Sequence, residues 1–261
     1  MAVTFGSCYS GIGGADIGLL SVGWELQFQA EADPFRREIL THRFAVQLFS
    51  DVARTRPADP YDILYAELPD SRIEKWWAPL DALMHETPPR RWLILELSPT
   101  VRCERVIRDL LALGETWTFR LIHIDAVIQL SHTQAEDWDM RKRALILASP
   151  DPDLVDGLGL AAMSAEIIVT GVSTTHPRLS LAWYEGSRGL RAGWTCVCVS
   201  PDDCRCSFDQ RLAAIQDATS PFVTQWLGEV VNGTWQDGLA RKLTLADGSS
   251  LDQFVAEASG V

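Results

Sequence analysis

The sequence contains no long hydrophobic run, no low-complexity linker and no secretory leader. No stretch approaches the ~18 consecutive apolar residues of a membrane-spanning helix, and the N-terminus has neither a basic region nor an apolar core. We therefore expect a cytoplasmic protein without a membrane partner. The 261 residues are enough for a full hydrophobic core, as one large domain with an appendage or as two domains.

Positive charge is also scarce. The chain has 23 Lys and Arg against 35 Asp and Glu, a formal net charge of −12. A protein that holds duplex DNA by itself normally presents an excess of positive charge to the phosphates. The basic residues come in small groups that a solvated surface would explain. This composition argues against a module that only binds nucleic acid, although that reading stays open as an alternative.

The pattern of apolar residues divides the chain at about residue 150. Residues 1–150 alternate short apolar runs with amphipathic stretches, which predicts βα units around a mostly parallel sheet. Residues 151–207 contain scattered glycines, a β-rich patch around Ala165–Val172 and an aromatic and cysteine-rich piece from Trp183 to Cys206, and they predict a small subdomain. Residues 208–261 predict a C-terminal helical segment that packs back on the first domain, with a break at Ser220-Pro221. The predicted strands are Val3–Ser7, Glu25–Ala30, Asp62–Ala66, Trp92–Glu96, Phe119–Asp125 and Ala144–Ala148, and the predicted helices between them are Ala15–Val22, Pro34–Arg43, Ile73–Met84 and Cys103–Leu113.

A glycine-rich turn follows the first predicted strand and precedes an apolar helix. Glycines in such a turn let backbone amides approach a cofactor closely, although a glycine turn alone is equally explained as a tight turn. Glu31 ends the second strand about 20 residues later, where an acidic side chain reaches ribose hydroxyls. Asp51 follows the third segment, where a carboxylate could accept from an adenine amino group. The three features together predict a nucleotide-like cofactor site.

These segments resemble the first motifs of the S-adenosylmethionine (SAM)-dependent cytosine-C5 DNA methyltransferases. The resemblance rests on Ser10-Gly-Ile-Gly-Gly-Ala-Asp-Ile-Gly-Leu, on Gly23-Trp24 and on Glu31-Ala-Asp-Pro-Phe. It implies an α/β fold of the class I SAM-dependent methyltransferase (Rossmann-like) type, with a small C-terminal subdomain and SAM as cofactor. The positions that it assigns to the cofactor are Ser10, Gly11, Gly13, Gly14, Glu31, Ala32, Asp51, Val52, Pro69 and Ser220.

The catalytic cysteine of that family is missing. The segment Asp62-Ile-Leu-Tyr-Ala-Glu-Leu-Pro-Asp-Ser matches the family's Pro-Cys-Gln motif at Pro69, but Asp70 stands at the cysteine. An ionised aspartate is a far poorer carbon nucleophile than a thiolate. We therefore expect that methylation of cytosine at C5 has been lost.

Two further motifs of the family are kept in part. Glu96 lies in Leu95-Glu-Leu-Ser, where the family has Glu-Asn-Val, and the resemblance implies a contact with the cytosine edge. Arg141 and Arg143 match an Arg-x-Arg before a buried strand, which implies base and phosphate contacts. A surface carboxylate and a basic turn are the structural alternatives for these positions.

The late cysteines form two Cys-x-Cys pairs, Cys196 with Cys198 and Cys204 with Cys206, on either side of a five-residue turn. In a β-hairpin, residues i and i+2 share a face, so the four sulfurs could converge. Four thiolates are a suitable set for a structural zinc ion. A hairpin with buried thiols and no metal is the alternative.

Three functions are compatible with these patterns. The first is a SAM-binding homologue that has lost C5 methylation and acts as a regulatory protein, with a partner such as an active methyltransferase. The second is an active SAM-dependent methyltransferase for a nucleobase or nucleotide, in which Asp70 is a general base and Glu96 positions the base. The third is a nucleic-acid-binding module that uses the cysteine cluster with Arg141 and Arg143.

Overall fold

The computed structural model describes residues 2–68, 73–97, 117–130, 139–158, 164–172, 180–198 and 206–233. The described part contains eight strands and seven α-helices. The strands are β1 (Thr4–Cys8), β2 (Glu25–Ala30), β3 (Gln47–Phe49), β4 (Ile63–Leu68), β5 (Trp92–Leu97), β6 (Thr118–Leu130), β7 (Asp139–Ser149) and β8 (Ser164–Val172). The helices are α1 (Gly14–Ser21), α2 (Pro34–Arg43), α3 (Ile73–Glu86), α4 (Pro152–Asp156), α5 (Leu181–Ser187), α6 (Phe208–Asp217) and α7 (Pro221–Val231), and one 3-10 turn spans Val52–Arg54.

All described strands join one sheet in the order β3-β2-β1-β4-β5-β7-β6-β8. β7 pairs antiparallel with β5 and β6, and every other described pairing is parallel. A sheet in which β1 lies centrally and the strand order reverses on either side of it is doubly wound, and ligands bind such sheets at the carboxyl ends of the strands. The predicted class I, Rossmann-like fold is confirmed.

Both faces of the sheet are covered, as the near-continuous apolar strands require. On one face, α1 and α7 pack against β1, β4 and β5 through a core that includes Leu19, Phe222 and Trp226. On the other face, α3 contributes Trp77 and Leu80 to a second core. α1 and α7 approach closely, since a Cβ atom added at Gly18 would lie 2.1 Å from the Pro221 carbonyl oxygen. No helix among the described residues is long and apolar enough to cross a membrane.

The sequence located most elements correctly, but several details differ, among them β6, which ends at Leu130 rather than at Asp125. β7 begins at Asp139 rather than Ala144, because it continues past the end of β5 alongside β6. β8 lies inside the predicted subdomain 151–207, yet it pairs with β6 and extends the main sheet. The short strand β3 was not among the predicted strands. The predicted helix Cys103–Leu113 lies outside the described residues.

The predicted break in the C-terminal helical segment is confirmed within residues 208–233. α6 ends at Asp217, and α7 begins at Pro221 with Ser220 as its N-cap residue. Proline is tolerated at the first helical position because that backbone N–H has no partner within the helix. The start of α7 lies beside α1, where the Thr224 hydroxyl donates to the Ala15 carbonyl.

Candidate functional site

The glycine turn after β1 is the centre of the candidate site. Gly11 and Gly13 have φ angles of 57° and 81°, in the left-handed region that glycine enters without steric cost. The Gly13 amide donates to the Ser10 carbonyl over 2.9 Å, which closes the turn. A Cβ atom added at Gly13 would lie 2.3 Å from the Phe44 ring, whereas one added at Gly11 would meet no described atom within 4 Å. Gly13 is therefore needed for packing, while Gly11 leaves room for a ligand to approach the backbone.

The carboxylate of Glu31 holds this turn from the end of β2. Its Oε2 accepts from the Gly11 amide and its Oε1 from the Asp33 amide, both over 2.8 Å. The side chain is 7% exposed, and burial raises the pKa of Glu31 although the donated N–H bonds lower it in part. Each carboxylate oxygen has a second lone pair, so Glu31 can also accept from a ligand hydroxyl. The neighbouring Ala32 is exposed.

Asp51 and Val52 lie where β3 leads into the 3-10 turn. The Asp51 carboxylate caps that turn by accepting from the Ala53 amide over 3.0 Å, and Val52 is buried in the second core together with Tyr9. Burial, together with nearby negative charges that include Asp51 and Glu31, raises the pKa of the Tyr9 hydroxyl. Asp51 and Glu31, the carboxylates predicted to face adenine and ribose, therefore lie on the same edge of the sheet, and both lie near the Tyr9 hydroxyl.

The start of α7 closes the other side of the glycine turn. A Cβ atom added at Gly14 would lie 2.2 Å from the Thr219 carbonyl oxygen. Ser220 is buried, and its hydroxyl donates to the Arg188 carbonyl over 3.3 Å. The Thr224 hydroxyl donates to the Ala15 carbonyl over 2.9 Å and ties α7 to α1. The fold thus brings Ser220 near the turn, and its contact with a cofactor stays a prediction.

Glu96 lies in β5 with a side chain that is 1% exposed. The Tyr65 hydroxyl donates to its Oε2 over 2.5 Å, and the Thr219 hydroxyl donates to its Oε1 over 2.9 Å. Burial and the charge of Glu96 raise the pKa of Tyr65, so the phenol stays protonated and keeps donating. A base edge would therefore meet a carboxylate whose two oxygens already accept hydrogen bonds. The predicted base contact of Glu96 stays a prediction.

The remaining predicted catalytic residues are only partly within the described structure. Pro69 and Asp70 lie outside the described residues, immediately after the end of β4. Arg141 and Arg143 lie in β7 rather than in a turn before it. Because β7 is antiparallel to β5, its first residues lie at the carboxyl edge of the parallel strands. The backbone at both arginines is thus on the edge where the glycine turn lies, and the sequence prediction that they precede the strand is wrong.

Three of the four clustered cysteines come together. The sulfur atoms of Cys196, Cys198 and Cys206 all lie within 4.8 Å of one another, with 3.6 Å between those of Cys198 and Cys206. Zinc–sulfur bonds of about 2.3 Å in a tetrahedron place sulfurs about 3.8 Å apart, so these three could hold a metal ion. Cys204 lies outside the described residues. Cys196 and Cys198 are not in a strand, and residues 199–205, where the turn of the predicted hairpin would lie, are outside the described residues.

Sequence reasoning missed the residues that connect this cluster to the glycine turn. The indole N–H of Trp194 donates to the Ile12 carbonyl over 2.8 Å, and the ring is 1% exposed. The two residues are 182 positions apart, and no spacing rule relates them. The available signal was only that Trp194 precedes the first Cys-x-Cys pair.

The described sheet and helices have the fold of known methyltransferases. The chain is similar to a prophage-encoded E. coli protein named as a DNA modification methyltransferase, with a TM-score of 0.64 and 10% identity over 89% of this chain and 99% of that chain. The Entamoeba histolytica methyltransferase EhMeth gives a TM-score of 0.56 at 9% identity, over 91% of this chain and 100% of that chain. The S. pombe Dnmt2 methyltransferase gives 0.55 at 8% identity, over 89% and 99%.

At these identities the likeness establishes the fold alone. No protein-family model matches the chain, and no curated protein matches it. The functional conclusion therefore depends on the chemistry of this chain's own residues.

A buried acid lies beneath the glycine turn and was not singled out from the sequence. Asp16, in the first turn of α1, is fully buried, and its Oδ2 accepts from the Gln29 amide group over 2.7 Å. Burial raises the pKa of Asp16 from 3.8 to about 6. The folded protein thus binds this proton more tightly than the unfolded chain does.

This difference predicts a loss of stability with rising pH. The contribution of Asp16 is fully present below about pH 4 and is lost as the pH rises to about 6, since the raised pKa belongs to the folded state. Asp16→Asn keeps the acceptor for Gln29 but carries no charge. We expect this variant to lose less stability than the wild type between pH 4 and pH 7, by on the order of 2–3 kcal/mol. Urea unfolding at a series of pH values measures the difference.

The control for that measurement is Asp59→Asn, at an exposed position. It should retain the wild-type dependence of the unfolding free energy on pH. Parallel pH curves for Asp16→Asn and the wild type would show that Asp16 is not the titrating group.

Proposed function

We propose that the protein binds SAM at the glycine turn after β1. The observation that carries this proposal is the position of Glu31, which follows β2 directly, holds the Gly11 amide and keeps lone pairs for the hydroxyls of a ribose. The open space at Gly11 supports it, because a ligand can approach the backbone there. The methyltransferase fold supports the same cofactor.

Three segments at the carboxyl edge of the sheet correspond to the three parts of SAM. The glycine turn would receive the methionine part, the end of β2 the ribose, and the 3-10 turn after β3 the adenine. SAM carries a methyl group on a positively charged sulfonium, and this edge of the sheet presents two carboxylates, Glu31 and Asp51. The proposed contact residues are Ser10, Gly11, Gly13, Gly14, Glu31, Ala32, Asp51, Val52, Pro69 and Ser220.

We expect titration calorimetry to show binding of SAM and of its demethylated product. Glu31→Gln should weaken that binding about 10-fold or more, because the amide NH2 group cannot accept from a backbone N–H and a buried donor loses its partner. Glu25→Gln, at an exposed position of the same strand, is the matched control and should bind like the wild type. Absence of both heat and thermal stabilisation with either ligand would refute the cofactor proposal.

We further propose that the bound SAM does not serve cytosine C5 methylation. Asp70 replaces the thiol that this reaction needs. The carboxylate of Glu96, which would face the base, is buried and accepts from both Tyr65 and Thr219. The protein then acts through binding, as a SAM-responsive regulatory partner of another protein such as an active methyltransferase. The net charge of −12 favours a protein partner over duplex DNA held alone.

A second candidate is methyl transfer to another atom of a nucleobase or nucleotide. The placement of β7 favours it, since Arg141 and Arg143 lie in its first half at the carboxyl edge, where a phosphate could be held. Asp70 would then act as a general base on a hydroxyl or amino group.

Incubation with labelled SAM and cytosine-containing DNA should leave no 5-methylcytosine in a nucleoside analysis, because no thiolate is available at position 70. Asp70→Asn should give the same result. Formation of 5-methylcytosine by the wild type would contradict the proposed loss. Label on a different atom that disappears in Asp70→Asn would establish the second candidate in place of the regulatory function.

We also propose zinc as the metal ion of the cysteine cluster. Soft thiolates in tetrahedral arrangement favour zinc, and the sulfur separations of Cys196, Cys198 and Cys206 suit it. Cys204 is the proposed fourth ligand. In a reducing compartment such as the cytoplasm these thiols remain available to the metal.

Metal analysis of the purified protein should find about one zinc ion per chain. Cys198→Ser should lower that content, because it replaces one of the sulfurs that lie together. The matched control is Cys8→Ala, a cysteine buried in the sheet outside the cluster, which should retain zinc. A metal-free wild-type protein with intact folding would reject the site.

A further inference from the structure

Trp194 connects two sites that lie far apart in the chain. Its indole N–H donates to the carbonyl of Ile12, which lies between two glycines of positive φ. Ile12, with 1% exposure, is buried with Trp194 in a third core that also holds Ile17 and Ile39. Loss of the indole donor would leave a buried carbonyl without that partner, which is unfavourable. The position of Trp194 therefore bears directly on the shape of the cofactor turn.

Arg43, the last residue of α2, fixes the backbone around Trp194. Its Nη2 donates to the carbonyls of Gly193, Trp194 and Cys196 over 2.8, 2.8 and 2.9 Å. The guanidinium carbon lies 5.3 Å from the centroid of the Trp194 ring, a cation–π distance. Phe44, the next residue, packs edge-on against the same ring. One arginine thus joins the indole segment to Cys196.

Glu185 orders the same segment from the opposite side. It is fully buried and accepts from the amides of Gly193 and Thr195 over 2.6 and 2.9 Å. Arg211 of α6 donates to Glu185 over 3.2 Å and to the Thr195 hydroxyl over 2.8 Å. Since α6 begins two residues after Cys206, these bonds fasten both chain segments that supply the clustered sulfurs.

We propose that the cysteine cluster and the cofactor turn form one coupled unit, with Trp194 as the positioning residue between them. A metal ion on the sulfurs restrains Cys196, the Arg43 bonds carry that restraint to Trp194, and the indole holds the Ile12 carbonyl. Metal binding then orders the turn in the shape that receives SAM. This inference rests on the SAM and zinc sites proposed above, and it adds the connection between them.

The connection has a thermodynamic signature. If zinc raises the affinity for SAM by some factor, SAM must raise the affinity for zinc by the same factor. Two sites that are merely near each other in a stable fold would show no such factor. The measurement therefore separates a positioning role of Trp194 from a purely structural one.

The test compares the SAM dissociation constant of the full chain with zinc bound and after removal of zinc by a chelator. We expect the wild type to bind SAM about 5-fold or more weakly without zinc. Trp194→Phe keeps an aromatic ring but lacks the N–H, so zinc should have little effect on its SAM affinity. Trp24→Phe is the matched control, because Trp24 also donates an indole bond, to Asn232 over 2.9 Å, away from the turn. It should keep the full zinc effect.

Two measurements keep the outcomes distinct. If chelation unfolds the chain, the reciprocal experiment starts from the zinc-loaded protein and asks whether SAM slows zinc loss to a chelator in the wild type but not in Trp194→Phe.

If the zinc-loaded protein binds no SAM, the proposed function fails, and amide exchange of residues 10–14 with and without zinc tests the connection alone. Faster exchange without zinc is expected. The inference is overturned if the folded wild type has the same SAM affinity, or the same amide exchange at residues 10–14, with and without zinc. A full zinc effect on SAM affinity in Trp194→Phe also overturns it.

Discussion

The turn between β1 and α1 is held by a different segment of the chain at each of its residues. Glu31 of the β2 end binds the Gly11 amide, and Trp194 binds the next carbonyl. Phe44 limits the space at the third position, and the Thr219 carbonyl limits it at the fourth. Glycine-rich backbone has many accessible conformations, so these four contacts select one. The site at the carboxyl edge exists because the whole domain assembles around a flexible segment.

The parts of this site that follow local rules could be predicted from the sequence. Alternating apolar runs indicated the sheet, and an acidic residue at the end of the second strand indicated Glu31. The bond from Trp194 to Ile12 could not, because it joins segments 182 positions apart that belong to no common motif. The addition of β8 to the sheet escaped prediction for a similar reason, since its partner β6 is set by long-range packing rather than by residue pattern.

Glu96 shows how a residue that matches a motif can also hold elements of the fold together. A carboxylate with 1% exposure is unfavourable unless hydrogen bonds replace its hydration. Tyr65 and Thr219 supply those bonds, and the raised pKa of Tyr65 keeps that donor protonated. Each oxygen keeps a second lone pair. The described bonds of this glutamate join β4, β5 and the residue before Ser220.

Cofactor binding and methyl transfer depend on different groups in this fold. Four residues make the described contacts that shape the turn, namely Glu31, Phe44, Trp194 and Thr219. The nucleophile of the C5 reaction would come from the segment after β4, where Asp70 stands. Position 70 supplies none of those described contacts, so the residue that stands there does not decide the shape of the turn. The proposed function therefore requires no change in the turn, because the cofactor site and the C5 nucleophile belong to separate segments of the chain.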